Sequence, residues 1–277
     1  MWNVIRAEWL KIRRCQILLV GVVALALCPV AQYGSQLMMA PEYREATYDM
    51  AHLFANVIWG NSQVFLPISL VMIGGWLIDR ESVNDTLKQI VSIPVPMPKL
   101  LGAKLLITGM LALLFGIYSV CVTLLTGACT GLQGLTPMLA LSCGTQVVTA
   151  ALTTYLVCMP LILIFGQIRG AWLTGSVFTF FLGYSILFFK GGVLSSAYPF
   201  SAALILAGFD MRQYNGATSP PDPLLALAGI ASVLLLTLFL LSASGRRREM
   251  SSRPAKKAKR QRRGGGRSRQ KVQNPGS

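Results

Sequence analysis

Residues 105–127 read LLITGMLALLFGIYSVCVTLLTG, a run with no charged side chain and no histidine. A bilayer core about 30 Å thick is crossed by roughly 20 apolar residues in a helix. The apolar residues of this run are continuous rather than alternating, which disfavours a β-barrel strand. Because hydrocarbon offers backbone amides no partner outside their own chain, the run predicts a membrane-spanning helix.

Five further stretches meet the same criterion, so the sequence predicts an all-α membrane protein. Hydrophobic residues make up 53% of the chain and charged residues 13%, about half the usual quarter for a soluble domain. This composition excludes a soluble enzyme. The six predicted transmembrane helices are residues 16–33, 57–78, 105–127, 138–165, 171–189 and 224–243.

Basic residues are distributed unevenly between the connections. The N-terminal segment, every second connection and the tail carry 4, 4, 1 and 13 Lys or Arg, whereas the alternate connections carry 1, 0 and 2. The positive-inside rule therefore predicts that both termini lie in the cytoplasm. A seventh span at 193–209 would place the basic tail outside, so we expect that segment to lie in, or dip into, the outer interface.

The charge pattern also divides the chain into three parts: residues 1–15, a transmembrane domain at 16–245, and a tail at 246–277. The tail holds 13 of the 25 basic residues and three consecutive glycines, which predicts a disordered cytoplasmic segment. Binding to the anionic inner leaflet is the simplest role, and contact with RNA is the alternative. No aromatic residue is interleaved for base stacking, so we expect no specific nucleic acid.

Several kinds of chemistry are missing from the sequence. The nucleotide-binding pattern G-x-x-x-x-G-K-[ST] does not occur, and His52 is the only histidine. We therefore expect no catalytic residues, no metal site and no directly bound cofactor. Because the six spans also lack ionisable groups of the kind that ion-coupled pumps use, the energy for any uphill transport is expected to enter from a cytoplasmic partner.

The first fifteen residues contain an apolar stripe at helical spacing. Such an amphipathic helix can lie in the inner membrane interface. It serves either as a simple topology anchor or as an elbow helix that fixes the tilt of span 1. The apolar face holds Trp2, Ile5, Trp9 and Ile12, and the other faces hold Glu8 and Lys11.

The connection at 79–104 contains a second helical stripe, formed by Val83, Leu87, Ile90 and Val91. Ser82 and Asn84 are candidate N-caps. Three prolines at 94, 96 and 98 end the pattern and predict a stiff exit into span 3. A short rigid helix here is suited to act as a lever between the membrane bundle and a soluble domain, and the alternative is a solvated loop helix without a partner.

These two segments also carry a family resemblance. Residues 6–14, RAEWLKIRR, resemble the N-terminal AE-x-LK opening of type-two ATP-binding-cassette (ABC) export permeases. Residues 81–88, ESVNDTLK, resemble their E…GTLK segment, although Asn84 and Asp85 stand where that family usually has a small residue, often glycine. In length and overall character the chain is most similar to permeases of lantibiotic self-immunity and bacitracin-type resistance.

The resemblance implies a multi-pass protein of the bacterial cell membrane that expels an antimicrobial peptide. Its partners would be a second permease subunit, homologous or identical, and cytosolic ATPase subunits that use ATP and Mg. It also implies short re-entrant outer helices within 190–223. The competing interpretation is a non-transporting scaffold or assembly factor that acts through its basic tail. The implied coupling helix, extended by the apolar stripe, comprises Glu81, Ser82, Val83, Asp85, Thr86, Leu87, Lys88, Ile90 and Val91.

Overall fold

The computed structural model describes residues 16–40, 42, 48–83, 97–216 and 220–265. All regular secondary structure within these ranges is helical. Residues Asn61–Phe65 form a π-helical turn, and Ser185–Phe188 form a 3-10 turn. The helices are α1 (Ile17–Met38), α2 (Met50–Gly60), α3 (Leu66–Val83), α4 (Met97–Cys129), α5 (Pro137–Gly166), α6 (Trp172–Tyr184), α7 (Gly192–Ala197), α8 (Pro199–Leu206), α9 (Arg212–Asn215) and α10 (Pro223–Gly265).

Five of the predicted spans form helices long and apolar enough to cross a membrane. Most begin earlier or end later than predicted, because hydropathy detects the apolar run whereas local capping sets the helix ends. Span 2, for example, begins at Met50 because the Asp49 side chain accepts a hydrogen bond from the His52 amide. The five are Ile17–Met38, Met50–Arg80, Met97–Cys129, Pro137–Gly166 and Pro223–Ser244.

The fifth predicted span, 171–189, is shorter than the others. Together with its 3-10 end, α6 covers Trp172–Phe188, which is an apolar helix of under 18 residues. That length lies at the lower limit of roughly 17–25 residues for a spanning helix. The helical backbone ends at Phe188, since the next residue, Phe189, has a ψ of 89°, and Gly191 follows with a φ of 101°.

Beyond α6 the chain folds back against the bundle as three short helices, α7 to α9, which we call the outer hairpin because the sequence predicts that this end of the bundle faces away from the cytoplasm. Thr153, near the middle of α5, donates a hydrogen bond of 2.9 Å to the Ala203 carbonyl, and Gln146 donates one of 2.7 Å to the Gly208 carbonyl. The predicted interfacial segment 193–209 therefore dips between the spans. Side chains from α5 can supply hydrogen bonds to its backbone there, as hydrocarbon requires. Phe200, Ala202, Ala203 and Leu204 are buried.

Span 2, formed by α2, the π-helical turn and α3, lies at the centre of the bundle. It is the most buried of the five long helices, with α5 and α6 packed against α3 on one side and α1 and α4 on others. Glycines permit the close approach: a Cβ on Gly166 would lie 2.8 Å from the Ile78 Cβ, and one on Gly183 would collide with the Gln63 carbonyl oxygen. Small residues at helix crossings are typical of membrane bundles.

The last helix, α10, continues past the membrane-spanning length to Gly265. Residues 246–265 of this helix belong to the tail that the sequence predicts to be disordered, and the assignment of the tail as disordered stays a prediction. Alanine, lysine, arginine and glutamine, which favour a helix, make up much of this stretch, whereas Pro254 lacks the backbone N–H of a regular helix residue and disfavours one. Residues 266–277 lie outside the described residues.

Replacing Gly183 with Ala is expected to lower the melting temperature of the purified protein in detergent, because the added Cβ would meet the Gln63 carbonyl. Gly102→Ala is the matched control: no atom lies within 4 Å of the added Cβ, and alanine favours a helix over glycine by about 0.8–1 kcal/mol. The close packing of α6 on span 2 is contradicted if both variants melt at or above the wild-type temperature.

Candidate functional site

Three consecutive polar residues interrupt the apolar surface of span 2. Asn61, Ser62 and Gln63 all lie in the π-helical turn and are 2%, 1% and 3% exposed. A π-helical turn inserts an extra residue into an α-helix and frequently marks a functional position. Uncharged polar groups inside a membrane protein are costly to bury, so this turn is the first candidate for a functional element within the spans.

The hydrogen bonds of the turn are incomplete. Asn61 Nδ2 donates to Ser119 Oγ of α4 at 2.8 Å. Within the described part of the chain, however, Asn61 Oδ1, Ser62 Oγ and Gln63 Nε2 have no partner, and neither does Thr154 Oγ1 on α5. Each unsatisfied buried polar group costs about 1–3 kcal/mol. The turn therefore contains buried polar atoms whose hydrogen bonds the described residues do not supply.

The outer half of span 2 is fixed to the outer hairpin by polar and aromatic contacts. Tyr214 donates a hydrogen bond of 2.7 Å to Asn56 Oδ1, and Asn56 Nδ2 donates one of 3.2 Å to the Tyr48 hydroxyl. The Trp59 ring stacks on Tyr214 with 4.9 Å between centroids and lies 6.3 Å from the Phe209 ring. These contacts join α2 and the outer hairpin into one unit.

The single histidine lies at the outer end of span 2. His52 Nδ1 is 2.7 Å from Asp49 Oδ1, which also accepts the His52 backbone N–H at 3.0 Å. That backbone hydrogen bond is the main reason that the pKa of Asp49 is held below its usual value. The pair caps the helix, and within the described ranges no group of three or more His, Cys, Asp or Glu residues is arranged to hold a metal ion.

The opposite end of span 2, which the sequence predicts to face the cytoplasm, is held from two sides. Lys104 of α4 is 2% exposed, and its Nζ donates a hydrogen bond to the Leu77 carbonyl. Asp79 is 5% exposed, and its Oδ2 accepts the Gly170 backbone N–H at 3.2 Å. The Arg80 guanidinium lies 5.1 Å from the Trp76 ring centroid. We call this end of the bundle the inner end.

A lateral groove runs along the exposed seam between α4 and α5. It contains two cavities of about 380 Å³ each, one lined in part by Ile117 and Val148 and the other by Met110 and Leu156. The lining is almost entirely apolar except for Thr145, Thr149 and Thr153 along the α5 side. Large apolar residues of its α4 wall, Leu106, Met110, Leu113 and Ile117, are 40–49% exposed.

The predicted coupling helix is described only at its start. Glu81, Ser82 and Val83 continue the α3 helix from span 2, so Ser82 is not an N-cap. The remaining residues, Asp85, Thr86, Leu87, Lys88, Ile90 and Val91, lie outside the described residues, and so do the predicted elbow residues Trp2, Ile5, Glu8, Trp9, Lys11 and Ile12. Both assignments stay predictions.

Sequence reasoning missed two features of this site. Lys104 was read only as a cytoplasmic charge, and nothing local to it signals that its head group reaches the Leu77 carbonyl 27 positions earlier. The polar turn did leave a signal, since Asn61, Ser62 and Gln63 form the sole run of three polar residues within the predicted span 57–78. Asn, Ser and Gln are ordinary residues elsewhere in a protein. Three of them in succession are unusual because they lie within a membrane span.

Comparison with known proteins adds one match. Residues 4–186, more than half of the chain, match the profile of a family described as ABC-2 family transporter protein. The matched region contains the first four spans, the inner end and most of α6 with its 3-10 turn. No individual curated protein matches the chain.

A matched pair of serine substitutions tests the incomplete hydrogen bonding of the polar turn. Ser62→Ala removes a hydroxyl that has no partner, so the melting temperature in detergent is expected to stay the same or rise. Ser119→Ala removes the acceptor of Asn61 Nδ2, so the melting temperature is expected to fall. Equal destabilisation by the two variants would show that Ser62 is hydrogen-bonded in the resting protein.

Proposed function

Because this chain belongs to the ABC-2 transporter family and is the non-catalytic membrane permease component of such a transporter, we propose that it exports an amphipathic antimicrobial peptide of the lantibiotic type. The family match supports the permease assignment alone. The proposed substrate class rests on the sequence resemblance to lantibiotic-immunity permeases and on one structural observation, the lateral groove.

The groove is suited to a substrate that partitions into the bilayer. Its two cavities are each about 380 Å³, within the range of about 300–1,000 Å³ for ligand pockets. Its apolar walls match the apolar face of an amphipathic peptide, and its threonine hydroxyls can accept hydrogen bonds from peptide N–H groups. A charged hydrophilic solute would find no ion-pairing group among the lining residues.

Energy for export is proposed to come from ATP hydrolysed by separate subunits. No Asp, Glu, Lys, Arg or His lies within the six predicted spans, and the chain lacks a nucleotide-binding pattern. ABC-2 permeases generally pair with an ATPase subunit. We propose that two cytosolic ATPase subunits, which use ATP and Mg, act on this chain together with a second permease subunit, homologous or identical.

Motion is proposed to enter through the coupling helix at residues 81–91. Closure of the ATPase dimer would move this segment and, because Glu81–Val83 continue the span 2 helix, would move α3 directly. The polar turn would then change the angle between α3 and α2, open the bundle and release the peptide at the outer leaflet. The elbow helix at residues 1–15 would fix the tilt of span 1.

The basic tail is proposed to strengthen attachment to the inner leaflet. Residues 246–277 carry 13 Lys and Arg, and each basic residue near an anionic leaflet contributes about 1 kcal/mol at most. With the helical backbone of α10 continuing to Gly265, residues just beyond the span, such as the triple arginine at 246–248, are the closest to the lipid head groups.

Leu87→Asp is expected to abolish peptide resistance in cells that express the complete transporter, because it places a charge on the apolar face predicted to contact the ATPase. Gln89→Asp adds the same charge outside the predicted apolar stripe and is expected to preserve resistance. Survival is measured against a panel of lantibiotics and cell-wall antibiotics, and membrane insertion is verified by immunoblot. Full resistance in Leu87→Asp would argue strongly against the coupling assignment.

Purification in mild detergent separates the permease from the scaffold interpretation. The permease interpretation predicts that an ATPase subunit co-purifies with the chain. It also predicts that deletion of residues 246–277 leaves this association intact. If the ATPase is absent from the purified wild-type complex, and the tail alone retains the cellular activity, the scaffold interpretation is correct.

A further inference from the structure

We propose that Lys104 and Asp79 form a clip at the inner end that makes the coupling segment move α3, α4 and the connection between α5 and α6 as one body. The inference rests on the proposed function, since it assumes that force arrives at residues 81–91. Both are positioning residues: they touch neither substrate nor nucleotide, and they act by fixing α3 to its neighbours.

The first half of the clip closes the coupling connection at its base. The segment that follows α3 returns to the bundle at α4, and the Lys104 Nζ of α4 donates a hydrogen bond to the Leu77 carbonyl of α3. The two helices that carry the coupling segment are thereby joined where they enter the bundle. A push on the segment then displaces α3 and α4 together instead of separating them.

The chemistry of Lys104 is unusual for a residue that only fills space. It is among the largest side chains that are fully buried, at 2% exposed, and burying an ammonium group is costly unless it is well partnered. A leucine or methionine would pack there without that cost. The hydrogen bond of Lys104 to the Leu77 carbonyl of α3 offsets part of that cost.

The second half of the clip joins α3 to the connection between α5 and α6. Asp79 Oδ2 accepts the Gly170 N–H at 3.2 Å, and Gly170 holds a φ of 70° in that short connection. Residues 77 and 79 are two positions apart on a helix with 3.6 residues per turn, so they face different sides. The end of α3 is therefore held from α4 on one side and from the α5–α6 connection on the other.

Close packing beside the clip means that the end of α3 has little space in which to move without displacing its neighbours. A Cβ on Gly166 would lie 2.8 Å from the Ile78 Cβ, and a Cβ on Gly75 would lie 3.0 Å from the Trp172 Cβ. Interiors packed this closely transmit strain because neighbouring groups cannot move independently. Movement of the α3 end is thus passed on to α5 and α6 through contact as well as through Asp79.

The test compares ATP hydrolysis with transport in the reconstituted complex of permease and ATPase subunits. Lys104→Met keeps the length of the side chain and removes its donors. We expect the complex to assemble and hydrolyse ATP while peptide transport per ATP falls by about tenfold or more. Lys104→Arg keeps a donor and is expected to restore much of the transport. Lys99→Met is the matched control, since Lys99 is an exposed lysine of the same helix, and should transport as wild type.

Asp79 gives a second, independent comparison should Lys104→Met fail to assemble. Asp79→Asn keeps an oxygen that can accept the Gly170 N–H and should retain coupling, whereas Asp79→Leu should lose it. Normal transport per ATP in both Lys104→Met and Asp79→Leu overturns the clip. A wild-type complex without any ATP-dependent transport instead contradicts the proposed function, so the two failures are distinguishable.

Discussion

The constraint on which the whole structure depends is that hydrocarbon cannot solvate a polar group. It forces the backbone into helices, and it explains why the six predicted spans contain no charged side chain or histidine. The same constraint makes the few polar groups that do enter the bundle informative. The Asn61–Phe65 turn, the carbonyls of the outer hairpin and the Lys104 head group are each found where two helices can satisfy them, wholly or in part.

Most of these polar groups lie on span 2 or contact it, and span 2 is the central helix of the bundle. We therefore call span 2 the axis of the molecule. Its outer half is joined to the outer hairpin through Asn56, Trp59 and Tyr214. Its inner half is joined to α4 and to the α5–α6 connection. The π-helical turn between the halves contains three buried polar atoms without a hydrogen-bond partner among the described residues, and we propose it as the place where the two halves change their relative angle. In the proposed mechanism, force enters at one end of this axis and opens the bundle at the other.

The sequence could predict the parts of the fold that depend on local composition. Continuous apolar runs located five long helices, and the short, Ser- and Gly-containing segment 193–209 was correctly kept apart from the spans. The features it missed depend on distant partners. The pairing of Lys104 with Leu77, the packing of Gly183 against Gln63 and the depth of α8 beside Thr153 all join residues that are far apart in the chain. The short length of α6 also escaped hydropathy, since its backbone leaves the helical region at Phe189 within an apolar run.

The central claim is that this permease obtains its driving force from partner subunits, because the six predicted spans contain no Asp, Glu, Lys, Arg or His and the chain lacks a nucleotide-binding pattern. The most direct measurement is peptide accumulation by proteoliposomes that contain the chain alone or together with its ATPase subunits. The account predicts uphill transport only with the ATPase and Mg-ATP, and none from the chain alone under an imposed proton or sodium gradient. Uphill transport by the chain alone would contradict it.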